Sequence, residues 1–288
     1  MSSPTPTNPP SSPGKFARLR GLAVRSGVGA VLIVILALTV WLFQWGLVAV
    51  IAAFVALGAH ELSATAANRG IHPAWLVVAV GGAALLFLEY GRWLGDPLAV
   101  GFIGCAAILI VGLAWRLRGP VENFLSDISL TALTIVYLPL LASFVIAMLC
   151  SPRPIAQPSV YAALVVIGDT GAYALGSLIG RHKLCPRFSP SKTWEGIAGS
   201  ILCASIAGVL LGLFVLHVPW WQGLVLGVAV ATAGALGDLI ESAIKRDVGV
   251  KDMGKLLPGH GGALDRLDSL MFAAPVAWAL MNMWMHVQ

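Results

Sequence analysis

An all-α fold of nine membrane-spanning helices, with the N-terminus in the cytoplasm, is predicted for this 288-residue chain from three observations. Hydrophobic residues make up 58% of it and charged residues only 11%, less than half the roughly 25% charged share of soluble domains. Apolar stretches close to the ~20 residues that a bilayer requires recur along most of the length. The basic residues gather in alternate connections between those stretches. Together these exclude a single water-soluble domain, whose surface could not be covered by so few charges, and a disordered chain.

Residues 1–14 hold five prolines among Ser, Thr and Asn, and with the basic stretch that follows they read as a disordered tail over 1–26. Lys15, Arg18, Arg20 and Arg25 precede an apolar run at 27–43. That run is longer than the apolar region of a signal peptide and no small-residue cleavage site follows it, so it reads as a retained first span. Further spans are expected near 46–60, 74–91, 98–115, 130–150, 159–180, 196–217, 222–243 and 269–286. Several are rich in Gly and Ala, such as Gly81-Gly82-Ala83-Ala84, which suits close helix packing in lipid. The domain reading is an N-terminal set of spans over 27–150 and a C-terminal set over 151–288 that carries the polar loops 181–195 and 244–268.

Topology follows from the charges. With the N-terminus inside, all basic residues except Arg92 and Arg153 lie on the cytoplasmic side, 16 of 18. The opposite orientation reverses this ratio. The formal charge of +5 is therefore topological. No basic stripe on a polar helix and no RNA-binding aromatic motif accompanies it, so nucleic acid is not an expected partner. The four cysteines show no CxxC or zinc spacing and imply no disulfide framework.

Two cytoplasmic loops, 181–195 and 244–268, hold nine of those 16 basic residues together with Glu195, Asp247, Asp252, Asp265 and Asp268. An anchor for anionic lipid needs only positive charge, whereas these loops mix both signs with Gly and His. Two carboxylates, Asp169 and Asp238, fall inside flanking spans, and a carboxylate in a span normally faces a cavity, a metal or a basic partner. Helical spacing puts Asp238, Glu241, Ser242 and Lys245 on one face, and Asp169, Tyr173 and Gly176 on another. Asp265, Asp268 and Ser269 recur at the same spacing. The structural alternative is a set of helix caps and paired charges. For Glu89 that alternative is a pair with Arg92 at i+3.

Acidic side chains facing Lys and Arg at a Gly-rich turn can hold a divalent cation and bind polyphosphate. No dedicated nucleophile is present: there is no GxSxG, no Ser-His-Asp order, and His60-Glu61 does not extend to HExxH. The stretch 249–256 comes near a phosphate-binding GxxxxGK[ST] loop but ends in Leu256, where the hydroxyl that binds Mg²⁺ belongs.

The stretch 242–268, SAIKRDVGVKDMGKLLPGHGGALDRLD, resembles the signature of phosphatidate cytidylyltransferases, the CDP-diacylglycerol synthases. Ser242, Lys245, Arg246, Lys251, Asp252, Pro258, His260, Gly261, Gly262, Asp265, Arg266 and Asp268 occupy its fixed positions. Ala263 departs from it, since the family prefers a larger apolar residue there. Upstream, 169–176 and 189–196 also look like family motifs, so the resemblance covers about 160–285. It implies the reaction of CTP with phosphatidate to give CDP-diacylglycerol and pyrophosphate. It implies Mg²⁺ as cofactor, with K⁺ as a monovalent ion that could lie beside it. On this resemblance the catalytic residues are Asp238, Asp265, Lys192 and Ser242, and the metal ligands Asp238, Asp265, Asp268 and Asp252. Substrate binding falls to Lys245, Arg246, Lys251, His260, Arg266, Asp169 and Tyr173, while Trp194 reads as an interfacial anchor. The lipid phosphate is itself the nucleophile, which fits the lack of a catalytic Ser or Cys. The expected partners are CTP, phosphatidate and the bilayer of the plasma membrane, with the active site facing the cytoplasm and a homodimer as candidate assembly.

The competing class is an ion-coupled transporter with Asp169 and Asp238 as coupling carboxylates. It requires polar residues on both sides of the bilayer, but here they gather on one. A cytidylyl- or phosphotransferase acting on another lipid is the nearer alternative.

Overall fold

A computed structural model describes residues 43–254 and 262–285. The expected tail, the span at 27–43 and His260 lie outside the described residues. The remaining eight expected spans all coincide with helices. These are α1 (Gln44–Ala66), α2 (Trp75–Gly91), α3 (Pro97–Arg116), α4 (Phe124–Ile135) running through a π-turn into α5 (Leu141–Leu149), α6 (Ala156–Ile179), α7 (Trp194–Leu211), α8 (Trp220–Val248) and α9 (Leu264–Met285). Six helical segments among the described residues are long and apolar enough to cross a membrane, α2 is shorter at 17 residues, and α9 carries three charges in its first five positions. The all-α membrane architecture therefore holds, while a count of nine is not reached among the described residues.

The helix ends follow local chemistry. Asp96 caps α3, accepting a hydrogen bond from the Ala99 amide at 3.0 Å, with Pro97 opening the helix. Val136–Leu140 forms a π-turn around Pro139, whose ring nitrogen has no hydrogen to donate to the helical ladder. At the end of α8, Lys245 and Arg246 lie in the last turn and Gly249 takes the left-handed conformation (φ 81°), a favourable combination for a helix C-terminus. These residues therefore continue α8 where the sequence reading placed a loop from 244. Likewise Asp265 and Asp268 already belong to α9.

The expected loop at 181–195 contains a β-hairpin, β1 (Lys183–Cys185) and β2 (Ser189–Thr193), antiparallel with an irregularity between its two pairs. Strands of three and five residues are too short to show an alternating pattern in sequence. Glu195 fastens the hairpin base by accepting from the His182 amide and meeting its ring Nδ1 at 2.6 Å. Arg246 at the end of α8 donates to the Phe188 carbonyl at 3.1 Å.

α6, α7, α8 and α9 pack as successive neighbours, and α1, α2 and α3 do the same. Lipid is as apolar as a leucine side chain, so close backbone approach must supply much of the cohesion. Gly208, Gly223 and Gly227 provide it where α7 crosses α8: a Cβ on any of them would run into the facing backbone. α9 joins the two groups. Its start (Leu264, Leu267, Met271) belongs to a core built mainly from α1, α2, α3 and α5, and its later part (Ala273, Ala274, Ala277, Met281, Trp284) to a core with α6 and α8. Glu89 is fully buried and receives the Ser143 hydroxyl at 2.6 Å, not Arg92. Arg92 lies past the end of α2 in a left-handed turn and donates to the Cys150 carbonyl.

Candidate active site

The polar centre forms where α6, α8, α9 and the β2 strand converge. Asp169 and Asp238 each lie about ten residues, or about 15 Å of helix, before the ends of α6 and α8 at Ile179 and Val248. The site thus lies about three helical turns from the ends of α6 and α8 that carry the hairpin and Gly249. Carboxylate oxygens of Asp238, Glu241 and Asp268 lie within 4.8 Å of one another. Asp169, exposed on α6, lies within electrostatic reach of Asp238 and Lys192 and close to Ser269.

Two lysines offset this charge. Lys192 of β2 meets Asp238 at 2.6 Å. Lys245 bridges Glu241, one turn before it on α8, and Asp265 on α9 at 2.9 Å. Counting Asp169, Asp238, Glu241, Asp265 and Asp268 against the two ammonium groups leaves three formal negative charges. Each like-charged pair at such separations costs about 3–4 kcal/mol at an effective dielectric near 20. Glu241 is fully buried, and one of its oxygens has no partner among the described residues. Acceptor-only oxygens crowded around a buried carboxylate with one free oxygen fit a hard divalent cation.

The sequence-derived residues divide into those brought together here and those placed elsewhere. Asp238, Asp268, Lys192, Lys245 and Asp169 meet, and Ser242 is buried on the same helix as Asp238. Asp265 stands beside them but is turned to Lys245 and to two backbone amides, Gly262 at 2.7 Å and Met253 at 3.1 Å. Its carboxylate fixes both ends of the 253–262 connection. Lys251, Asp252 and Arg266 are exposed, Arg246 holds the hairpin, and Tyr173 points outward at 79% exposure.

Sequence reasoning missed two contributors. Glu241 appeared there only as a helix-face neighbour of Asp238, although its i+3 spacing was the available signal. Glu61 gave no signal at all. This α1 residue, 8% exposed, accepts from the amides of Ala263 (2.9 Å) and Leu264 (3.0 Å), the first turn of α9. A carboxylate there satisfies helix-terminal N–H groups and complements the helix dipole. Gly254 and Gly262 flank it so closely that a Cβ on either would collide with the Glu61 carboxylate. Thr65, one turn on, donates to the Met253 carbonyl at 3.3 Å. A cavity of about 610 Å³ between the α1–α2 and α3–α4 connections lies away from the carboxylates, beside the buried Arg116–Asp127 ion pair.

Fold and site together define a polytopic helical membrane protein with a cluster of carboxylates and lysines between its helices, the equipment for phosphate chemistry next to lipid. Residues 23–284 match the cytidylyltransferase family, and the chain belongs to that family. It is 35% identical over 279 residues to a phosphatidate cytidylyltransferase of Mycobacterium bovis, covering 91% of this chain and 87% of the relative. The Mycobacterium leprae protein of the same name is 34% identical over 282 residues, covering 91% and 86%. A Staphylococcus epidermidis phosphatidate cytidylyltransferase is 50% identical over 118 residues, covering 40% of this chain and 45% of the relative.

Proposed function

We propose that this chain transfers the CMP part of CTP to phosphatidate at the cytoplasmic face of the plasma membrane, giving CDP-diacylglycerol and pyrophosphate. The family membership and the named relatives support the reaction class. The observation that carries the mechanism is the cluster of Asp238, Glu241 and Asp268 with Lys192 and Lys245 at its rim. The cluster residues would hold Mg²⁺, which when bound supplies charge neutralisation to the phosphates of CTP.

The rest follows from the protein's own groups. A phosphatidate phosphate oxygen attacks the α-phosphorus of CTP, forming one P–O bond while the bond to pyrophosphate breaks. No proton need be removed from an ionised phosphate, so no general base is required. Lys192 and Lys245 sit where their charge can pass from carboxylates to phosphate oxygens, and lysine serves phosphate as a mobile point charge.

Purified protein supplied with labelled CTP, phosphatidate and Mg²⁺ is expected to form a CDP-lipid, and Asp238→Asn to reduce turnover by at least about 100-fold with folding retained in detergent. Absence of any CDP-lipid from the wild type with phosphatidate and a divalent cation would refute the assignment. Formation from another phospholipid acceptor alone would move it to that lipid.

A further inference from the structure

Tyr137 lies in the fourth described span, at the π-turn between α4 and α5. That segment supplies none of the residues of the site described above. Its side chain is 2% exposed, and its hydroxyl is buried with no hydrogen-bond partner among the described residues. The ring packs on Phe272, 5.4 Å between centroids, one turn beyond Asp268 on α9. The phenol feels the charge of Glu241 most strongly, followed by Asp268, Asp238 and Asp265. With its ring seated one turn along α9 from Asp268, Tyr137 lies beside the acidic cluster.

The π-turn accounts for this position. One extra residue in the turn breaks the regular helical spacing, and such turns occur often at functional sites. Leu138, the next residue, packs against Gly58 of α1, where a Cβ would also touch Leu264. The local backbone is thus held by the same contacts that seat the start of α9. A buried hydroxyl fixed in this way is costly unless it finds a partner. A divalent cation held by the cluster would take up its free carboxylate oxygens, and a cation offers no acceptor to a phenolic O–H. A phosphate oxygen does.

We infer that Tyr137 is a substrate-binding residue of this site, its hydroxyl donating a hydrogen bond to a phosphate oxygen seated against the Asp238–Glu241–Asp268 cluster. This rests on the nucleotidyl-transfer reading above. The phosphate belongs either to CTP or to phosphatidate, and the chemistry of recognition is the same.

Tyr137→Phe removes the hydroxyl and keeps the ring on Phe272. Steady-state kinetics with each substrate varied in turn, CTP binding by calorimetry without phosphatidate, and a thermal melt in detergent test the inference. An unchanged melting midpoint is expected together with a loss of about 10- to 100-fold in one substrate's specificity constant, the size of a hydrogen bond to a charged group. Loss confined to CTP, with weaker calorimetric binding, assigns the contact to the nucleotide. Loss confined to phosphatidate, with CTP binding intact, assigns it to the lipid. If kcat, both KM values and CTP binding all stay within twofold of wild type, the inference is overturned, and a lowered melting midpoint alone assigns Tyr137 to packing. Should the wild type form no CDP-lipid, pyrophosphate binding in the presence of Mn²⁺ is compared between the two proteins. Weaker binding by Tyr137→Phe then upholds the phosphate contact although the proposed reaction has failed, and equal binding overturns it.

Discussion

Substituting Glu61 by Gln tests whether an α1 residue sets the geometry of a site built from α6, α8 and α9. The native carboxylate accepts two amide hydrogen bonds, at 2.9 and 3.0 Å, from Ala263 and Leu264. Hydrogen bonds to a charged group are worth about 1.5–3 kcal/mol each. A carboxylate at a partly buried helix N-terminus adds up to about 2 kcal/mol. Gln retains one acceptor oxygen and turns an NH₂ toward the second amide, so the loss is about 2–3 kcal/mol. The expected fall in melting midpoint is about 5–10 °C, taking about 2–4 °C per kcal/mol for a chain of this size. Asp265 and Asp268 sit in the first two turns of α9. Loosening that start is expected to lower kcat for CDP-lipid formation by at least about tenfold, since small misplacements of positioning groups are expensive. Glu89→Gln is the matched control, a fully buried carboxylate at the far end of α2, and is expected to leave kcat within about twofold. If Glu61→Gln melts and turns over like the wild type, the capping argument is wrong.

Other consequences are open to measurement. Asp127→Asn leaves the Arg116 guanidinium in a buried site without its counter-charge, and is expected to cost about 3–5 kcal/mol in detergent unfolding. Replacing both partners by apolar residues is expected to recover most of that loss, and a double variant no better than the single would contradict it. Gly227→Val places a side chain against the Ala204 carbonyl and the Ser205 backbone. It is expected to destabilise the α7–α8 crossing by about 1–3 kcal/mol, whereas an unshifted melting curve would show that the helices can part without penalty.

Much of the site was legible before the fold. Asp169 and Asp238 stood out because a carboxylate in an apolar span is costly and needs a reason, while Asp268, Lys192 and Lys245 stood out through the mixed-charge loops and the family resemblance. Helical spacing correctly grouped Asp238 with Glu241. The same spacing grouped Tyr173 with Asp169, yet Tyr173 is 79% exposed. A three- or four-residue interval defines a broad face but not which part of it meets the neighbouring helix. Asp252 and Asp265 were read as metal ligands alongside Asp268. In the fold Asp265 is occupied by Lys245 and two amides, and Asp252 lies exposed in the connection.

The sequence by itself determined the solvent, the spans and the end of the bundle where the chemistry lies. These depend on properties of single residues and their near neighbours: apolar run length, the cost of charge in lipid, and the asymmetry of Lys and Arg. Only the tertiary structure decided that Glu61 holds the start of α9 from some 200 positions away, that the buried Tyr137 packs on Phe272 one turn from Asp268, and that a hairpin delivers Lys192 to Asp238. Those contacts depend on which helix faces meet. In lipid that is settled by the close fit of small residues and the mutual satisfaction of polar groups between distant segments, and neither is encoded in a local pattern.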